Sequence, residues 1–312
     1  MTTLDEILQA VKDHPVLRMA VAAAASESVL EAVKQAQAQS IAEPLLVGDE
    51  KRIRELAARV GLDLSGVRLM DVADDCQAAL RAAQEVREGR ADVLMKGQIH
   101  TDDFLRAVLD KDNGLRAGYI MSHVFILETR ALGRLSLVTD GAMNIAPDLV
   151  TKANIIMNAV YLARLLGVQR PKVCALAAVE LVNPNMPATL EAAALAKMAD
   201  RGQFPDCEVD GPFALDNAVS ALAAQVKGID SACAGLGDIL LVPDIEAGNI
   251  LAKAFSFLAG GRIAGVLVGA AAPVVLTSRA DSAESKLYSV ATAVLMAGLK
   301  RDSRLKIGKV HY

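Results

Sequence analysis

The sequence contains no tryptophan, and aromatic residues make up only 3% of its 312 residues. This scarcity disfavours a binding surface built from stacked rings and suits helices packed closely on a parallel sheet. The formal net charge is −4, so there is no basic surface of the kind that binds nucleic acid or an anionic membrane. We therefore expect neither nucleic acid nor a membrane as a partner.

Cysteine is also sparse, and no two cysteines are spaced as CxxC. This pattern predicts neither a metal site nor a disulfide framework, and it is typical of reduced thiols in the cytoplasm. The longest uncharged run, 263–278, is interrupted by Pro273 and is too short to span a bilayer. The start of the sequence lacks a secretory hydrophobic region. We expect a globular, cytoplasmic protein with reduced cysteines. The four cysteines are Cys76, Cys174, Cys207 and Cys233.

Several well-known functional motifs are absent. The sequence has no GxGxxG fingerprint, Walker A motif, GxSxG elbow or HExxH pair. Nicotinamide binding in the Rossmann manner, P-loop phosphotransfer, serine hydrolysis and zincin chemistry therefore lose support.

What the sequence does contain is a regular alternation of strand and helix patterns. Apolar runs such as 45–47 and 93–95 alternate with segments of helical periodicity such as 53–60 and 75–88. This succession predicts an α/β fold with mostly parallel sheets and helices on both faces. A length of 312 residues with 53% hydrophobic content is enough for about two domains. In such folds ligands bind beyond the carboxyl ends of the strands.

The first candidate site follows the apolar segment that begins at Gly265. Thr277, Ser278 and Arg279 end the apolar run, and a helical pattern begins near Asp281. Free backbone N–H groups at a helix N-terminus favour an anion, and an arginine can grip two phosphate oxygens. The alternative is an ordinary connection in which Arg279 forms a surface salt bridge.

The second candidate site follows the strand pattern 93–95. Lys96 would lie at the strand end, and Arg106 would lie one turn into a helix capped by Thr101. Both cations then face the same strand end, although solvated surface charges explain them equally well. His100 has no obvious acidic partner, so we interpret it as a structural histidine.

Polar residues lie within or after three further strand patterns. Ser122 lies within the apolar run 120–127, and Asn144 follows an Asp-Gly pair that is most simply a turn. After the strand pattern 239–242, Asn249 precedes a helix that we expect to carry Lys253 in its first turn.

Together these segments resemble the phosphate acetyl/butyryltransferases, or phosphotransacylases. The resemblance covers most of the chain and is strongest from Lys96 onward. The Met-Lys-Gly segment and the Asp-Ser-Ala-Glu-Ser-Lys-Leu-Tyr run after Arg279 look more like the butyryl branch than the acetyl branch. The segments that carry the resemblance are Leu94–Gly97 with His100-Thr101, Met121–Phe125, Val209–Pro212, Ala247–Ile250 with Lys253, and Thr277–Arg279.

The resemblance implies reversible transfer of a short acyl group, butyryl or acetyl, between coenzyme A and inorganic phosphate. It implies no metal and no tightly bound cofactor, with coenzyme A acting as a substrate. It also implies a fold similar to isocitrate and isopropylmalate dehydrogenases, with the active site in the cleft between two domains, and a homodimer or higher homo-oligomer. The expected domains are residues 1–127 plus 270–312, and residues 128–269.

The resemblance also implies roles for individual residues, in a direct attack of the thiolate on acyl phosphate within a ternary complex. Ser278 would hydrogen-bond the thiol, Arg279 would hold the phosphate, and Lys96 would help to stabilise the oxyanion. The candidate substrate-binding residues are Arg106, Ser122, Asn144, Asn249, Lys253 and Asp281.

One position departs from the pattern of the acetyl branch. Ser285 stands where that branch places an aspartate thought to act as a general base. Asp281 and Glu284 are nearby carboxylates, but both suit the start of a helix, and we expect them to cap it.

Two other functions remain open at this stage. One is a metal- and NAD-dependent decarboxylating dehydrogenase on a related fold, for which we find neither metal ligands nor a nucleotide loop in the sequence. The other is a non-catalytic CoA-binding protein, which the missing aspartate would favour.

Overall fold

A computed structural model describes residues 1–128, 132–301 and 306–312. Strands and helices alternate along these residues, and most strand pairs are parallel, which confirms the predicted mixed α/β class. None of the helices in these ranges is both long enough and apolar enough to cross a membrane.

The strands and helices are numbered in chain order. The strands are β1 (Leu17–Ala22), β2 (Ala42–Gly48), β3 (Arg68–Asp71), β4 (Val93–Lys96), β5 (Ser122–Glu128), β6 (Leu135–Thr139), β7 (Lys172–Leu176), β8 (Glu208–Phe213), β9 (Ile239–Leu241), β10 (Arg262–Val268) and β11 (Val274–Val275). The helices are α1 (Leu4–Ala10), α2 (Glu27–Ala38), α3 (Glu50–Val60), α4 (Asp75–Arg87), α5 (Thr101–Val108), α6 (Leu149–Leu165), α7 (Pro187–Asp200), α8 (Leu215–Val219), α9 (Ala221–Val226), α10 (Ile245–Lys253) and α11 (Ala283–Arg301).

Aspartates that follow strands begin several of the helices. Asp49 accepts a hydrogen bond from the backbone N–H of Arg52 at 2.9 Å, and Asp148 and Asp244 cap α6 and α10 in the same way. Helix α6 therefore begins at Leu149, two residues after the predicted start at Pro147.

The chain divides into two compact units. The first unit comprises Leu4–Tyr119 and Ala264–Ser303. The second unit comprises Met1–Thr3, Ile120–Ile263 and Arg304–Tyr312.

The first unit contains strands in the order β3-β2-β1-β4-β11-β10. All neighbours are parallel except β10 and β11, which form an antiparallel pair. All four residues of β4 are buried, and so are the apolar residues predicted for one face of α11, such as Leu287, Val290 and Val294. The C-terminal helix therefore buries its apolar face in the core of this unit, as its periodicity predicts.

The second unit contains strands in the order β5-β6-β9-β7-β8. Here β5 and β6 are antiparallel and the other neighbours are parallel. A cluster of buried residues that includes Val138, Cys174, Phe213 and Leu240 forms part of its core.

These units differ from the predicted domain ranges at four places. Met1–Thr3 belong to the second unit, and residues 264–269 belong to the first. Residues 120–127 belong to the second unit because β5 pairs with β6 along its length. Residues 306–312 also belong to it, because the N–H of His311 donates to the carbonyl of Gln203 at 3.0 Å. Residues 129–131 and 302–305 of the predicted ranges lie outside the described residues.

Gly97 holds the end of β4 against the end of β1. Its N–H donates to the carbonyl of Ala22 at 2.9 Å, and a Cβ added at Gly97 would lie 2.3 Å from the carbonyl oxygen of Ala23. No side chain fits there without moving the backbone that positions Lys96.

We expect Gly97→Ala to destabilise the protein by about 1–3 kcal/mol, the usual cost of forcing an extra methyl group into packed structure. Chemical denaturation monitored by circular dichroism measures the change. Gln98→Ala is the matched control, because Gln98 is exposed and its hydrogen bond to the carbonyl of Ala23 uses only the backbone. Equal stability of the Gly97→Ala variant and the wild type would contradict this account.

Candidate active site

Strand pairing brings the two candidate anion sites of the first unit together. Strands β4 and β11 are parallel neighbours, with Leu94 opposite Val274 and Met95 opposite Val275. Parallel neighbours end at the same edge of a sheet, so Lys96 and the segment 277–279 emerge side by side. The structure thus brings Lys96 next to Thr277, which lies 181 positions further along the sequence.

Lys96 is buried, with only 1% of its surface exposed. Its Nζ lies 3.5 Å from the carbonyl oxygens of Gly97 and Thr277, which is longer than a usual hydrogen bond. Burial, followed by the positive charges of Arg279 and Lys286, lowers the pKa of Lys96 to about 8, and the Asp281 carboxylate opposes this shift. The Lys96 amine is therefore poorly stabilised as a cation.

Lys286 is a second buried lysine, and the sequence analysis missed it. It lies in the first turns of α11, is 1% exposed, and donates to the carbonyl oxygen of Asp281. Burial lowers its pKa, and the Asp281 carboxylate opposes that effect. The signal in the sequence is a lysine placed four residues before Val290, on the apolar face of the predicted helix.

Asp281 fixes the loop that carries Ser278. Its Oδ2 accepts a hydrogen bond from the N–H of Ser278 at 2.7 Å, and its own N–H donates to the carbonyl of Ser278 at 3.2 Å. The predicted capping role is wrong, because α11 begins only at Ala283 and Ser282 Oγ accepts from the N–H of Ser285. The Glu284 carboxylate accepts a hydrogen bond from the Tyr288 hydroxyl at 3.1 Å.

Ser278 and Arg279 lie at the surface of this loop. The Ser278 hydroxyl oxygen accepts from the N–H of Ala280 at 3.3 Å. The terminal nitrogens of Arg279 lie 3.5 and 3.3 Å from the two ring nitrogens of His100. His100 is exposed at the N-cap position of α5, and its interpretation as a structural histidine stays a prediction.

The resulting cluster carries more positive than negative charge. Within the described ranges, the side chains of Lys96, Arg279 and Lys286 form no ion pair with a carboxylate. The nearby carboxylate of Asp281 is already bonded to the backbone of Ser278. Such a cluster is suited to binding an anionic ligand, whose charge would replace the missing partners.

Arg106 is placed differently from the prediction. Helix α5 starts at Thr101, with His100 rather than Thr101 at the N-cap position, and Arg106 falls in its last turn. The Arg106 guanidinium pairs with Asp103 at 3.2 Å, and its side chain is 80% exposed. An exposed pair of this kind contributes little to stability, so Arg106 remains able to exchange partners.

In the second unit, Ser122 and Asn144 are held in internal hydrogen bonds. Ser122 is fully buried, and its hydroxyl contacts Asn158 Nδ2 at 2.9 Å. Asn144 Nδ2 donates to the carbonyl of Met121 at 2.9 Å and to Asp140 Oδ2 at 2.7 Å. Asp140 also accepts three backbone N–H groups of the loop after β6, so this segment is the turn that the sequence predicts.

Two glycines bring α10 against this turn. A Cβ added at Gly248 would lie 2.7 Å from the Cα of Gly141, so both positions need glycine for close backbone contact. The side chain of Asn249 then donates to the carbonyl of Gly141 at 3.2 Å. Asn249 therefore lies at the strand ends of the second unit, where the sequence places it.

Lys253 is not in the first turn of its helix, as we expected, but is the last residue of α10. The helix starts at Ile245 because Asp244 caps it. Lys253 Nζ lies 6.0 Å from the ring centroid of Phe257, in a contact between a cation and an aromatic ring. Lys253 is thus more than two helical turns from the strand end.

With this geometry established, the sequence was compared with known families. It matches the phosphate acetyl/butaryl transferase family over residues 2–79 and 75–294. The chain belongs to this family. The membership confirms the family, and with it the acyltransferase class of enzyme, that the motifs predict.

Relatives in this family carry both acyl specificities in their names. The chain is 47% identical to a phosphate butyryltransferase of Clostridium beijerinckii, over 94% of this chain and 97% of that one. It is 44% identical to a phosphate acetyltransferase of Thermotoga maritima, over 90% and 95% of the two chains. The crystal structure of a branched-chain phosphotransacylase from Enterococcus faecalis superposes with a TM-score of 0.80, at 33% identity over 90% of this chain and 99% of that one. The two alternative functions receive no support from these relatives.

We expect the substitution Lys96→Met to raise the free energy of unfolding of this protein at neutral pH. Folding lowers the pKa of Lys96 from the ordinary lysine value of ~10.4 to about 8, so the unfolded chain binds more protons between these pH values. Below pH 8 the full cost of charging the buried amine is present, and the shift corresponds to about 3 kcal/mol.

Urea denaturation of both proteins at several pH values tests this expectation. The gain should be largest at pH 7 and should shrink as the pH rises from about 8 toward ~10.4. Lys51→Met is the control, because Lys51 is exposed on α3. A gain in the free energy of unfolding that is the same at every pH would contradict the cost assigned to charging the buried Lys96 amine.

Proposed function

We propose that this protein catalyses the reversible reaction of acyl-CoA with inorganic phosphate to give CoA and acyl phosphate, with a short acyl group such as butyryl or acetyl. The observation that carries the proposal is the cluster of Lys96, Arg279 and Lys286 beside the loop of Ser278, whose side chains form no ion pair with a carboxylate of the described residues. Both substrates are anionic, and both bring phosphate groups. The names of the relatives support the same reaction.

The roles of three residues follow from their positions. Arg279 is exposed and offers a planar fork that can hold two phosphate oxygens. Ser278, fixed by Asp281, hydrogen-bonds the thiol, and the nearby cations favour its thiolate form. Lys96 contributes positive charge to the oxyanion that forms as the thiolate attacks the acyl carbon directly in a ternary complex.

The proposed substrate-binding residues act in two ways. Arg106 is exposed and free to contact a substrate phosphate, while Asp281 acts by orienting Ser278. In the second unit, Ser122, Asn144 and Asn249 act by shaping the strand ends, because their hydrogen bonds are made within the protein. Lys253 lies at the far end of α10, so it contacts the substrate only if the substrate is long enough to reach that end.

The remaining proposals concern the assembly and its setting. We propose the two-domain arrangement of the isocitrate and isopropylmalate dehydrogenases, with the active site in the interdomain cleft, and a homodimer or higher homo-oligomer in the cytoplasm. Coenzyme A acts as a substrate, and no cofactor is tightly bound. Light scattering coupled to size-exclusion chromatography measures the oligomer, and a mass of one 32.8 kDa chain would contradict that part.

The wild-type protein should release free CoA from acyl-CoA only when phosphate is present. A thiol reagent follows the release from acetyl-, propionyl- and butyryl-CoA, with and without a metal chelator. Release that requires phosphate and is unaffected by chelator is expected, and the ranking of the three substrates gives the acyl preference. Turnover that depends on metal and NAD, or CoA binding without turnover, would overturn the proposal.

We expect Arg279→Ala to lower kcat/KM by about 10²–10³-fold, because a charged donor to the reacting phosphate is lost. The fold should remain intact, since the side chain is exposed. Arg54→Ala is the matched control, because Arg54 forms an exposed ion pair within α3. If the activity of Arg279→Ala were within a few-fold of wild type, Arg279 would have no part in binding the reacting phosphate.

A further inference from the structure

We propose that Lys96 carries the proton of the coenzyme A thiol: its neutral amine accepts this proton as the sulfur attacks, and the resulting ammonium donates it to the departing phosphate. The inference rests on the proposed acyl transfer and assigns one step within it. It gives Lys96 two successive states, a base before the attack and a positive charge beside the oxyanion during it.

The step is balanced without another reactant. In the direction that consumes acyl phosphate, the S–H bond breaks and an N–H bond forms on Lys96. The sulfur electron pair forms the S–C bond to the acyl carbon, and the C–O bond to phosphate breaks with its electrons leaving on that oxygen. The Lys96 ammonium protonates this oxygen, so the amine ends the cycle neutral.

The hydrogen bonds of Lys96 leave its amine free to change protonation state. A buried ammonium normally has strong acceptors for its three donors. Lys96 Nζ has the carbonyl oxygens of Gly97 and Thr277, both at 3.5 Å, and forms no ion pair in the described part of the chain. The neutral amine therefore loses little, and its contact with the carbonyl of Thr277 places it next to the residue that precedes Ser278.

The charged groups around Lys96 come from two elements. The loop before α11 supplies Arg279 and Asp281, and α11 supplies Lys286, while the neighbouring residue on β1 is Ala22. Burial and the two cations lower the pKa of Lys96 to about 8, and Asp281 opposes them. An ordinary thiol has a pKa of ~8.5, so donor and acceptor are closely matched, which favours proton transfer at neutral pH.

Other groups near Ser278 are less suited to this step. Arg279 does not release a proton in proteins, and the Asp281 carboxylate accepts the N–H of Ser278 at 2.7 Å. The Lys286 ammonium is bonded to the carbonyl of Asp281. Both ring nitrogens of His100 lie within 3.5 Å of the Arg279 guanidinium, so this contact already occupies the ring.

The first experiment identifies the titrating group from the pH dependence of kcat/KM, which reports the groups of the free enzyme. The wild-type kcat/KM should rise with pH through a value near 8. Lys286→Met removes a neighbouring cation and should move this rise to higher pH, whereas Asp281→Asn removes the anion and should move it to lower pH. Lys51→Met should leave it in place.

Shifts in opposite directions are a readout that a general loss of structure does not produce. A rise that stays at the same pH in both variants would overturn the assignment to Lys96. So would a rise that disappears in His100→Gln, because the titrating group would then be the imidazole.

The second experiment separates proton transfer from fixed positive charge. Lys96→Arg and Lys96→Ala should each lose about 10²-fold or more of kcat, the usual contribution of a positioned acid–base group. Added methylamine should restore part of the activity of Lys96→Ala, whereas guanidinium ion, which cannot exchange a proton near neutral pH, should not. Circular dichroism checks that the variants fold, and if they do not, the shifts in the first experiment decide.

Two outcomes would contradict the proton transfer. Near wild-type kcat in Lys96→Arg, or equal rescue by guanidinium ion and methylamine, would show that Lys96 supplies only positive charge. Either outcome would leave the proposed acyl transfer intact. If the acyl transfer itself were wrong, the wild-type protein would release no CoA in response to phosphate.

Discussion

The parallel pairing of β4 with β11 is the contact on which the candidate site depends. It places Lys96 beside the carbonyl of Thr277, and it sets the Ser278–Arg279 loop at the same edge of the sheet. The close contact of Gly97 with the end of β1 fixes the other side of Lys96. Every role proposed for the first unit follows from this register, because a shift of one residue would turn Lys96 away from the loop.

The same arrangement is costly for folding. Lys96 and Lys286 are both buried, both have lowered pKa values, and Asp281 is the carboxylate that acts on both. The cost is offset elsewhere in the unit, where residues of α11 such as Leu287, Val290 and Val294 bury apolar surface worth roughly 1.5–3 kcal/mol for each large side chain. An anionic ligand that pairs with these cations therefore stabilises the folded protein as it binds.

Much of the fold was predictable from the sequence, and less of the site. Hydrophobic periodicity predicts the strands and helices because it reflects which faces are buried, and it places Lys96 and Ser278 after strands. It does not show that β11 lies between β4 and β10, so the meeting of these residues required the structure.

Asp281 was misassigned because aspartate and serine both cap helices, and Ser282 takes that role. Lys253 was misplaced because the start of α10 was set too late, and Lys286 was overlooked because a lysine on an apolar face is read as an exposed charge.

Ser285 connects the charge of the cluster to the chemistry of Lys96. Its hydroxyl contacts Ser282 at 3.1 Å, so the position adjoining Lys286 carries no charge. The resemblance implies an aspartate at this position in the acetyl branch, and a carboxylate beside Lys286 would favour the ammonium form of nearby lysines. Burial, Arg279 and Lys286 lower the pKa of the Lys96 amine and Asp281 raises it, and an uncharged serine adds no further carboxylate to oppose the lowering. The serine at position 285 therefore agrees with the base role proposed for Lys96.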